Sequence, residues 1–266
     1  MHREYALLYP PVIEFGSGCR FRAGAILQQL AGGSGPRTFA VCSRSVRATG
    51  ALDELAARSR ISLCGVYDSV PHDPPLESVD ALIEQLCLTS ADAVLAVGGG
   101  SVIDAAKTAA VLAPVADRVR PFFEGQRPIS RPGLPLVAIP TTAGTGAEVT
   151  INAVLSDHLK GTKRSIRSPH MVPAAALVDP DLTVSMPPEL TAHSGLDALT
   201  QAVESYISLQ ANAVSRPLAA AAVERLLGHL PQACREGRDL DARTLVAEGS
   251  LLGAMAFSQS GLGAVH

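Results

Sequence analysis

The sequence predicts an α/β fold in which an open parallel sheet precedes an all-helical part. Short apolar runs rich in β-branched residues alternate with longer helical patterns up to about Pro180, which is typical of a doubly wound sheet. The run Ala93–Val97 is apolar throughout and meets glycines, as expected of a strand buried on both faces. After Pro180 the patterns are helical only. We therefore expect an α/β domain at 1–182 and the beginning of an all-helical domain at 183–266.

In the first half of the chain, glycines mark where the elements end. Residues 11–15 have the pattern of an edge strand and stop at Gly16-Ser17-Gly18. The helical pattern over 23–30 stops at Gly32-Gly33, because glycine commonly terminates helices. The remaining elements of this half are a strand at 38–42, a helix at 51–59 and a strand at 61–67.

Periodicity defines the elements further along the chain. The helix at 76–88 carries apolar residues on one face, namely Val79, Leu82, Ile83 and Leu86. After the strand at 93–97, a helix at 102–112 and a strand at 136–140 complete the alternation. The all-helical domain is predicted from three long helical patterns, at 195–208, 215–230 and 242–257.

Composition narrows the class of protein. With 47% hydrophobic and 18% charged residues, the 266 residues can bury a sizeable core. A net charge of −3 and an aromatic content of 4% argue against nucleic acid and acidic lipid as partners. The five cysteines form no C-x-x-C pair, which excludes a zinc ribbon and suits a reducing compartment. Because Met1–Tyr5 does not resemble a signal peptide and no apolar run is long enough to span a bilayer, we expect a cytoplasmic protein.

A glycine-rich turn, Gly98-Gly99-Gly100-Ser101, lies where the buried strand passes into a helix. Backbone N–H groups can approach a phosphate closely here, and the helix N-terminus adds partial positive charge. Ser101 and Asp104 also have the spacing of a capping box. The alternative is a tight turn without a ligand, but ligands collect at this edge of open α/β sheets. The fingerprint G-x-G-x-x-G is absent, and Lys107 is wrongly spaced for a Walker A loop.

A second loop, Pro140–Thr150, follows the next strand and contains threonines whose hydroxyls can bind ribose or pyrophosphate oxygens. Together, GGGSVIDAAK at 98–107 and PTTAGTGAEVT at 140–150 resemble the iron-containing, or group III, alcohol dehydrogenase family. Three further segments resemble that family in the same order: DPDL at 179–182, GLDAL at 195–199 and GLGAVH at 261–266. The resemblance extends over essentially the whole chain.

The resemblance implies a dinucleotide, NAD or NADP, held by residues of the α/β domain. These residues are Asp73, Gly99, Gly100, Ser101, Thr141, Thr142, Thr145, Asn152 and Lys163. The glycines and Ser101 would hold the pyrophosphate, the threonines would line the adenosine and phosphate side, and Asn152 and Lys163 would lie nearer the nicotinamide ribose. Asp73 stands where relatives commonly carry an asparagine that contacts the cofactor, and a plain turn is the alternative there.

The resemblance also implies a catalytic metal, Fe²⁺ or Zn²⁺, in the cleft between the domains. Asp197 and Gln201 are i and i+4 on one helix face, where the family usually presents an aspartate and a histidine. An amide oxygen is a weaker and harder ligand than imidazole, so metal affinity should fall. His266 matches the family's next metal-binding histidine. Glu204 shares the face, and we expect it to be solvated rather than a ligand.

With only Asp197, Gln201 and His266, the site lacks the further histidine ligand that the resemblance implies and falls short of what metal catalysis normally needs, so we expect the chain to be a fragment. The family implies a homo-oligomeric, metal-dependent NAD(P)-linked alcohol dehydrogenase or aldehyde reductase acting on a small alcohol or aldehyde. Ser43-Arg44-Ser45 stands where relatives often carry an aspartate, which makes NADP conceivable. One alternative is a non-catalytic dinucleotide-binding fragment. Another is a sugar-phosphate cyclase resembling dehydroquinate synthase, against which Asp197 and the sparse basic residues argue.

Overall fold

The structure is a computed structural model that describes residues 4–33 and 35–266, so the start of the predicted α/β domain, at Met1–Arg3, lies outside the described residues. The strands are β1 (Val12–Phe15), β2 (Arg37–Cys42), β3 (Ser62–Tyr67), β4 (Ala93–Gly98), β5 (Leu136–Pro140), β6 (Asn152–Asp157), β7 (Thr162–Arg167) and β8 (Ala175–Val178). The α-helices are α1 (Ala23–Leu30), α2 (Arg44–Ala48), α3 (Ala51–Ser59), α4 (Leu76–Leu88), α5 (Gly100–Leu112), α6 (Arg120–Phe123), α7 (Pro188–Ile207), α8 (Ser215–Arg235) and α9 (Leu240–Ser260).

Six of the strands form one parallel sheet with the order β1-β8-β5-β4-β2-β3. Alternate residues of β4 enter different cores. Val94 and Ala96 belong to a cluster that includes residues of α4 and α5. Leu95 and Val97 belong to a second cluster, which includes residues of α1 and α3. Helices therefore cover both faces of the sheet, and β4 is buried at every position. The predicted α/β fold is confirmed.

The bounds of the predicted strands and of the first four predicted helices agree closely with the structure. The helices expected at 23–30, 51–59 and 76–88 coincide with α1, α3 and α4. The sequence analysis missed α2, β8 and the antiparallel hairpin of β6 and β7. Only Ile166 of β7 is buried, so this strand has no apolar alternation to detect. β8 is only four residues long, although it is central to the sheet and pairs with both β1 and β5.

Three long helices form the remainder of the chain. α7 begins at Pro188 rather than at Gly195, because proline is well tolerated in the first turn of a helix. α8 continues past Pro231 to Arg235. The core of this part contains Leu226 of α8 together with Ala143, which follows β5, so the helices pack at the carboxyl edge of the sheet. Among the described residues, no helix has both the length and the apolar character needed to cross a membrane.

Candidate dinucleotide and metal site

The glycine-rich turn forms the sharp passage from β4 into α5. Gly98 pairs with Pro140 in the sheet, and a Cβ atom at Gly98 would lie 2.7 Å from the Val102 side chain. Gly99 is the N-cap of α5 and makes no side-chain cap. Because α5 begins at Gly100, its N-terminus with its partial positive charge faces the carboxyl edge of the sheet.

The predicted capping box is wrong. Ser101 lies inside the helix rather than at its N-cap, and its hydroxyl accepts a hydrogen bond from the backbone N–H of Asp73 at 3.3 Å. Asp104 is buried, and its carboxylate accepts from the backbone N–H of Val154 at 2.9 Å. Glycine at the helix start lets α5 begin two residues earlier than the predicted start at 102, so both side chains are free to bind neighbouring segments instead.

The threonine loop after β5 contacts the glycine-rich turn. The backbone N–H of Thr141 donates to the carbonyl oxygen of Gly98 at 3.0 Å. A Cβ atom at Gly99 would lie 3.4 Å from Thr142, and one at Gly100 would lie 2.5 Å from Thr145 Oγ1. The two predicted loops therefore form one surface, and the close approach at Gly100 leaves no room for a side chain there.

A fully buried lysine holds this loop in place. Lys107 is 1% exposed, and its ammonium donates to the carbonyl of Ala147 at 2.8 Å and to Thr150 Oγ1 at 3.3 Å. It also donates to the backbone carbonyl of Asn152, which begins β6. The nearest carboxylate oxygen, Asp104 Oδ1, is 3.8 Å away. Lys107 therefore joins the middle of α5 to both ends of one connecting segment and is not placed as a phosphate ligand.

Burial shifts the pKa values of Lys107 and of the two carboxyl groups near it, Asp104 and Glu148. It lowers the pKa of Lys107 to about 8, against the opposing effect of Asp104. It raises the pKa of Asp104 to about 6 and that of Glu148 to about 7. The sequence analysis missed this function of Lys107. A single lysine among the alanines of α5, in a helix buried almost throughout, was the available signal.

Asp73 and Lys163 form an ion pair beside the glycine-rich turn. Lys163 Nζ lies 2.7 Å from Asp73 Oδ1, and this hydrogen bond is the main cause of the lowered pKa of Asp73. Asp73 has a φ of 50°, in the left-handed region that few residues other than glycine adopt. The backbone N–H of Asp73 also donates to Ser101 Oγ. Asp73, Ser101 and Lys163, which all belong to the predicted dinucleotide set, therefore lie together.

The predicted metal residues converge on one face of α7. His266 Nδ1 lies 3.3 Å from Asp197 Oδ1. Gln201 is 2% exposed, and its Oε1 atom has no hydrogen-bond partner among the described residues. Burial raises the pKa of Asp197 and outweighs the opposing effects of His266, a hydrogen bond from Gln201 and Lys163.

These three side chains suit a divalent cation. A buried carbonyl oxygen without a partner is costly, and a cation bound between it, the carboxylate and the imidazole would satisfy it. No group of three or more histidine, cysteine, aspartate or glutamate residues with metal-binding geometry occurs within the described ranges. The site on α7 has an amide at Gln201 in place of such a third residue.

The face of α7 that carries Asp197 and Gln201, called the metal face below, adjoins the threonine loop. A Cβ atom at Gly144 in the threonine loop would lie 2.8 Å from the Cβ of Ser194, which is one helical turn before Asp197. Gly146, with a φ of 65°, packs against Ala254 of α9. The threonine loop thus lies between the glycine-rich turn and the helices, so the two predicted half-sites adjoin.

The expectation that Glu204 is solvated is wrong. It is 6% exposed, and its Oε2 accepts from the backbone N–H of Gly263 at 2.8 Å. Its Oε1 accepts from the N–H groups of Val265 at 2.8 Å and His266 at 3.3 Å. Burial alone would raise the pKa of this carboxyl, but the three backbone donors lower it overall. The chain after α9 returns across α7, which spacing along the helix could not reveal.

Comparison with known proteins covers both parts of the chain. The family model described as iron-containing alcohol dehydrogenase matches residues 10–180. The model described as the C-terminal part of the Fe-containing alcohol dehydrogenase family matches residues 191–266.

Curated and solved relatives agree with these matches. Long-chain-alcohol dehydrogenase 1 of Geobacillus thermodenitrificans is 43% identical over 76% of this chain and 51% of its own length. Alcohol dehydrogenase 4 of Schizosaccharomyces pombe is 34% identical over 98% of this chain and 61% of its own. The structure of sulfoacetaldehyde reductase from Bifidobacterium kashiwanohense with NAD⁺ is 30% identical, with a TM-score of 0.93 over 98% of this chain and 69% of that one. The chain thus spans about half to three fifths of the length of these two curated relatives.

Proposed function

Because the chain belongs to the iron-containing alcohol dehydrogenase family, we propose that it is part of a metal-dependent, NAD(P)-linked alcohol dehydrogenase or aldehyde reductase. The reaction is hydride transfer between the nicotinamide and a small alcohol or aldehyde. The observation that carries this proposal is the close contact between Gly144 and Ser194, which brings the threonine loop against the helix that carries Asp197 and Gln201. The relatives support both alcohol oxidation and aldehyde reduction, since alcohol dehydrogenases and a lactaldehyde reductase are among them.

The dinucleotide is proposed to lie across the carboxyl ends of β4 and β5. Gly99, Gly100 and Ser101 bind its pyrophosphate through the N-terminus of α5. The threonine loop forms the adjoining wall, and Lys163 faces the same cleft from β7. Support comes from the contact between Gly100 and Thr145, which makes the two loops one surface. The relative solved with NAD⁺ has the same fold over nearly the whole chain.

The preference between NAD and NADP is proposed to depend on the segment after β2. The N–H of Ser43 donates to the carbonyl oxygen of Val97 at 3.1 Å, so this segment lies beside the end of β4. Arg44 is exposed at the start of α2. Its guanidinium can bind the 2′-phosphate of NADP, against the opposing charges of Asp68 and Asp53, which act on Cys42 at the end of β2. We therefore propose that Arg44 allows NADP to be used as well as NAD.

The metal, Fe²⁺ or Zn²⁺, is proposed to be held by Asp197, Gln201 and His266. When bound, it supplies Lewis-acid polarisation of the substrate oxygen. The buried, unpartnered Oε1 of Gln201 supports a cation at this position. The amide also makes the site weaker than one with imidazole at the same position.

The test is a paired measurement of binding and turnover. Binding of NADH and NADPH is followed by fluorescence, and oxidation of a panel of primary alcohols is measured after loading with Fe²⁺ or Zn²⁺ and after chelation. Saturable dinucleotide binding with metal-dependent turnover supports the proposal. Binding without turnover selects the non-catalytic alternative, and turnover indifferent to chelation contradicts the metal site. A chain that binds neither dinucleotide overturns the proposal altogether.

A further inference from the structure

A third residue on the metal face of α7 does not face solvent. Asp197, Gln201 and Glu204 lie at i, i+4 and i+7 and therefore share one side of the helix. Both carboxylate oxygens of Glu204 are occupied by backbone N–H groups of the segment 261–266. With its oxygens committed in this way, Glu204 is placed to act on that segment rather than to bind a metal.

The same segment is shaped for this contact. α9 ends at Ser260 and is capped by Gly261, whose φ of 67° lies in the left-handed region, so the chain can turn back toward α7. A Cβ atom at Gly263 would lie 2.9 Å from Glu204 Oε1 and 3.1 Å from its carboxyl carbon. A residue with a side chain at 263 would therefore push the carboxylate and the segment apart.

The beginning of the segment is held separately. The hydroxyls of Ser205 and Ser260 are 2.7 Å apart in the buried interface of α7 and α9. Ser208 Oγ donates to the carbonyl oxygen of Ser260 at 2.6 Å. These contacts fix where the segment starts, whereas the contacts to Glu204 fix where it ends, at His266.

We propose that Glu204 is a positioning residue that holds His266 beside Asp197 and so strengthens metal binding. The inference rests on the metal site of the proposed function. The backbone N–H of His266 donates to Glu204 at 3.3 Å, and its imidazole Nδ1 lies 3.3 Å from Asp197 Oδ1. Glu204 therefore holds the backbone of His266 where its side chain lies beside Asp197. Groups that orient metal ligands typically change metal affinity by about 10- to 100-fold.

A carboxylate is required because three donors must be accepted on two oxygens. Glutamine at 204 keeps the size of the side chain but offers one acceptor oxygen, and its NH₂ group would face backbone N–H groups. Glu189, exposed in the first turn of the same helix, provides a matched control for a change from carboxylate to amide.

The experiment measures Zn²⁺ affinity by calorimetry in the whole chain and in four variants. We expect Glu204→Gln to weaken Zn²⁺ binding by about tenfold or more, Glu189→Gln to leave it unchanged, and Asp197→Ala to abolish it. Gly263→Ala disturbs the contact between Glu204 and the segment 261–266 through the segment itself, and it should also weaken Zn²⁺ binding. Circular dichroism confirms that each variant remains folded.

Two further readouts separate positioning from a general effect on folding. In the Zn²⁺-free chain, amide hydrogen exchange at 263, 265 and 266 should accelerate in Glu204→Gln and not in Glu189→Gln. The d–d absorption of bound Co²⁺ in Glu204→Gln should move toward that of His266→Ala, because the imidazole is no longer held. Wild-type Zn²⁺ affinity in Glu204→Gln, or an unchanged Co²⁺ spectrum, overturns the inference and leaves the proposed function intact. A wild-type chain that binds no Zn²⁺ and no Co²⁺ overturns the metal site itself, and the inference with it.

Discussion

The ammonium group of Lys107 lies 2.8 Å from the carbonyl oxygen of Ala147, and this hydrogen bond joins, inside the core, the two loops of the proposed dinucleotide site. α5 carries the glycine-rich turn at its first residues and Lys107 two turns later. Ala147 lies within the threonine loop, Pro140–Thr150. The relative position of the turn and the loop is therefore set inside the core and does not depend on a bound cofactor.

Lys107→Met should destabilise the chain and weaken dinucleotide binding. The substitution leaves buried acceptors at Ala147, Thr150 and Asn152 without their shared donor, and a buried acceptor left unsatisfied costs about 1–3 kcal/mol. The free energy of unfolding in urea measures this cost, and NADH fluorescence measures binding. Lys160→Met is the matched control, because the side chain of Lys160 is exposed and its ammonium group pairs with Glu124 at the surface. Equal stability of the two variants would contradict the proposed function of Lys107.

Gly100→Ala should weaken the binding of both nucleotides by about tenfold or more, because the added methyl group would lie 2.5 Å from Thr145 Oγ1 and separate the two loops. Gly228→Ala serves as the control. A Cβ atom at Gly228 in α8 meets nothing within 4 Å, so this change should leave binding unaltered. The measurement is the dissociation constant of NADH and NADPH by fluorescence titration. An unaltered constant in Gly100→Ala would rule out the contact between the loops as a binding element.

The stability of the chain should fall as the pH rises from about 4.5 to about 7, in part because of Glu148. Its pKa is raised from 4.5 to about 7 by burial. In that range the folded chain retains a proton that the unfolded chain has lost, so the free energy of unfolding decreases with pH. Glu148→Gln removes this contribution, and the difference in stability between about pH 5 and about pH 8 should shrink. Urea unfolding at both pH values checks it, with Glu224→Gln, on the exposed side of α8, as control. An equal change in the free energy of unfolding between the two pH values in the wild-type chain, Glu148→Gln and Glu224→Gln would show that Glu148 does not contribute.

Arg44→Ala should weaken NADPH binding by about tenfold while leaving NADH binding nearly unchanged, because only NADPH carries the phosphate that the guanidinium would bind. Fluorescence titration with the two nucleotides separates the effects. Arg216→Ala removes an exposed arginine of α8 and should affect neither. A parallel loss of both affinities would show that Arg44 does not discriminate between the nucleotides.

Gln201→His should raise the affinity for Zn²⁺ by about tenfold or more, since imidazole is the better ligand for this ion. The substituted ring would occupy the position of an amide that is already buried beside Asp197. Calorimetry with Zn²⁺ measures the change. Gln126→His, which places the same ring at an exposed position, controls for adventitious binding by an added histidine. Unchanged affinity in Gln201→His would argue that position 201 does not face the metal.

Local patterns were sufficient for much of the fold. The spacing of Val79, Leu82 and Leu86 predicts α4 with its observed bounds, because burial of one helix face leaves a 3.6-residue period in the sequence. β7 leaves no such period, since most of its side chains are exposed in a two-stranded sheet. The glycine-rich turn and the threonine loop could be placed together because parallel strands end at one edge.

The contacts of Lys107 and Glu204 could not be predicted in the same way. Both bind backbone groups of segments distant in the chain, and backbone groups carry no residue-specific pattern. The convergence of Asp197, Gln201 and His266 was expected only from the family resemblance. Nothing in the local sequence of His266 indicates that it lies beside α7.

The pairing of β1 with β8 has a consequence for how the chain folds during synthesis. Val12 pairs with Ala175, so the first strand of the α/β part hydrogen-bonds to its last. Until the ribosome has released residues beyond 178, β1 has no partner and the edge of β5 on that side stays open. Contacts between such distant segments slow folding. Completion of the sheet therefore requires the end of the α/β part as well as its beginning.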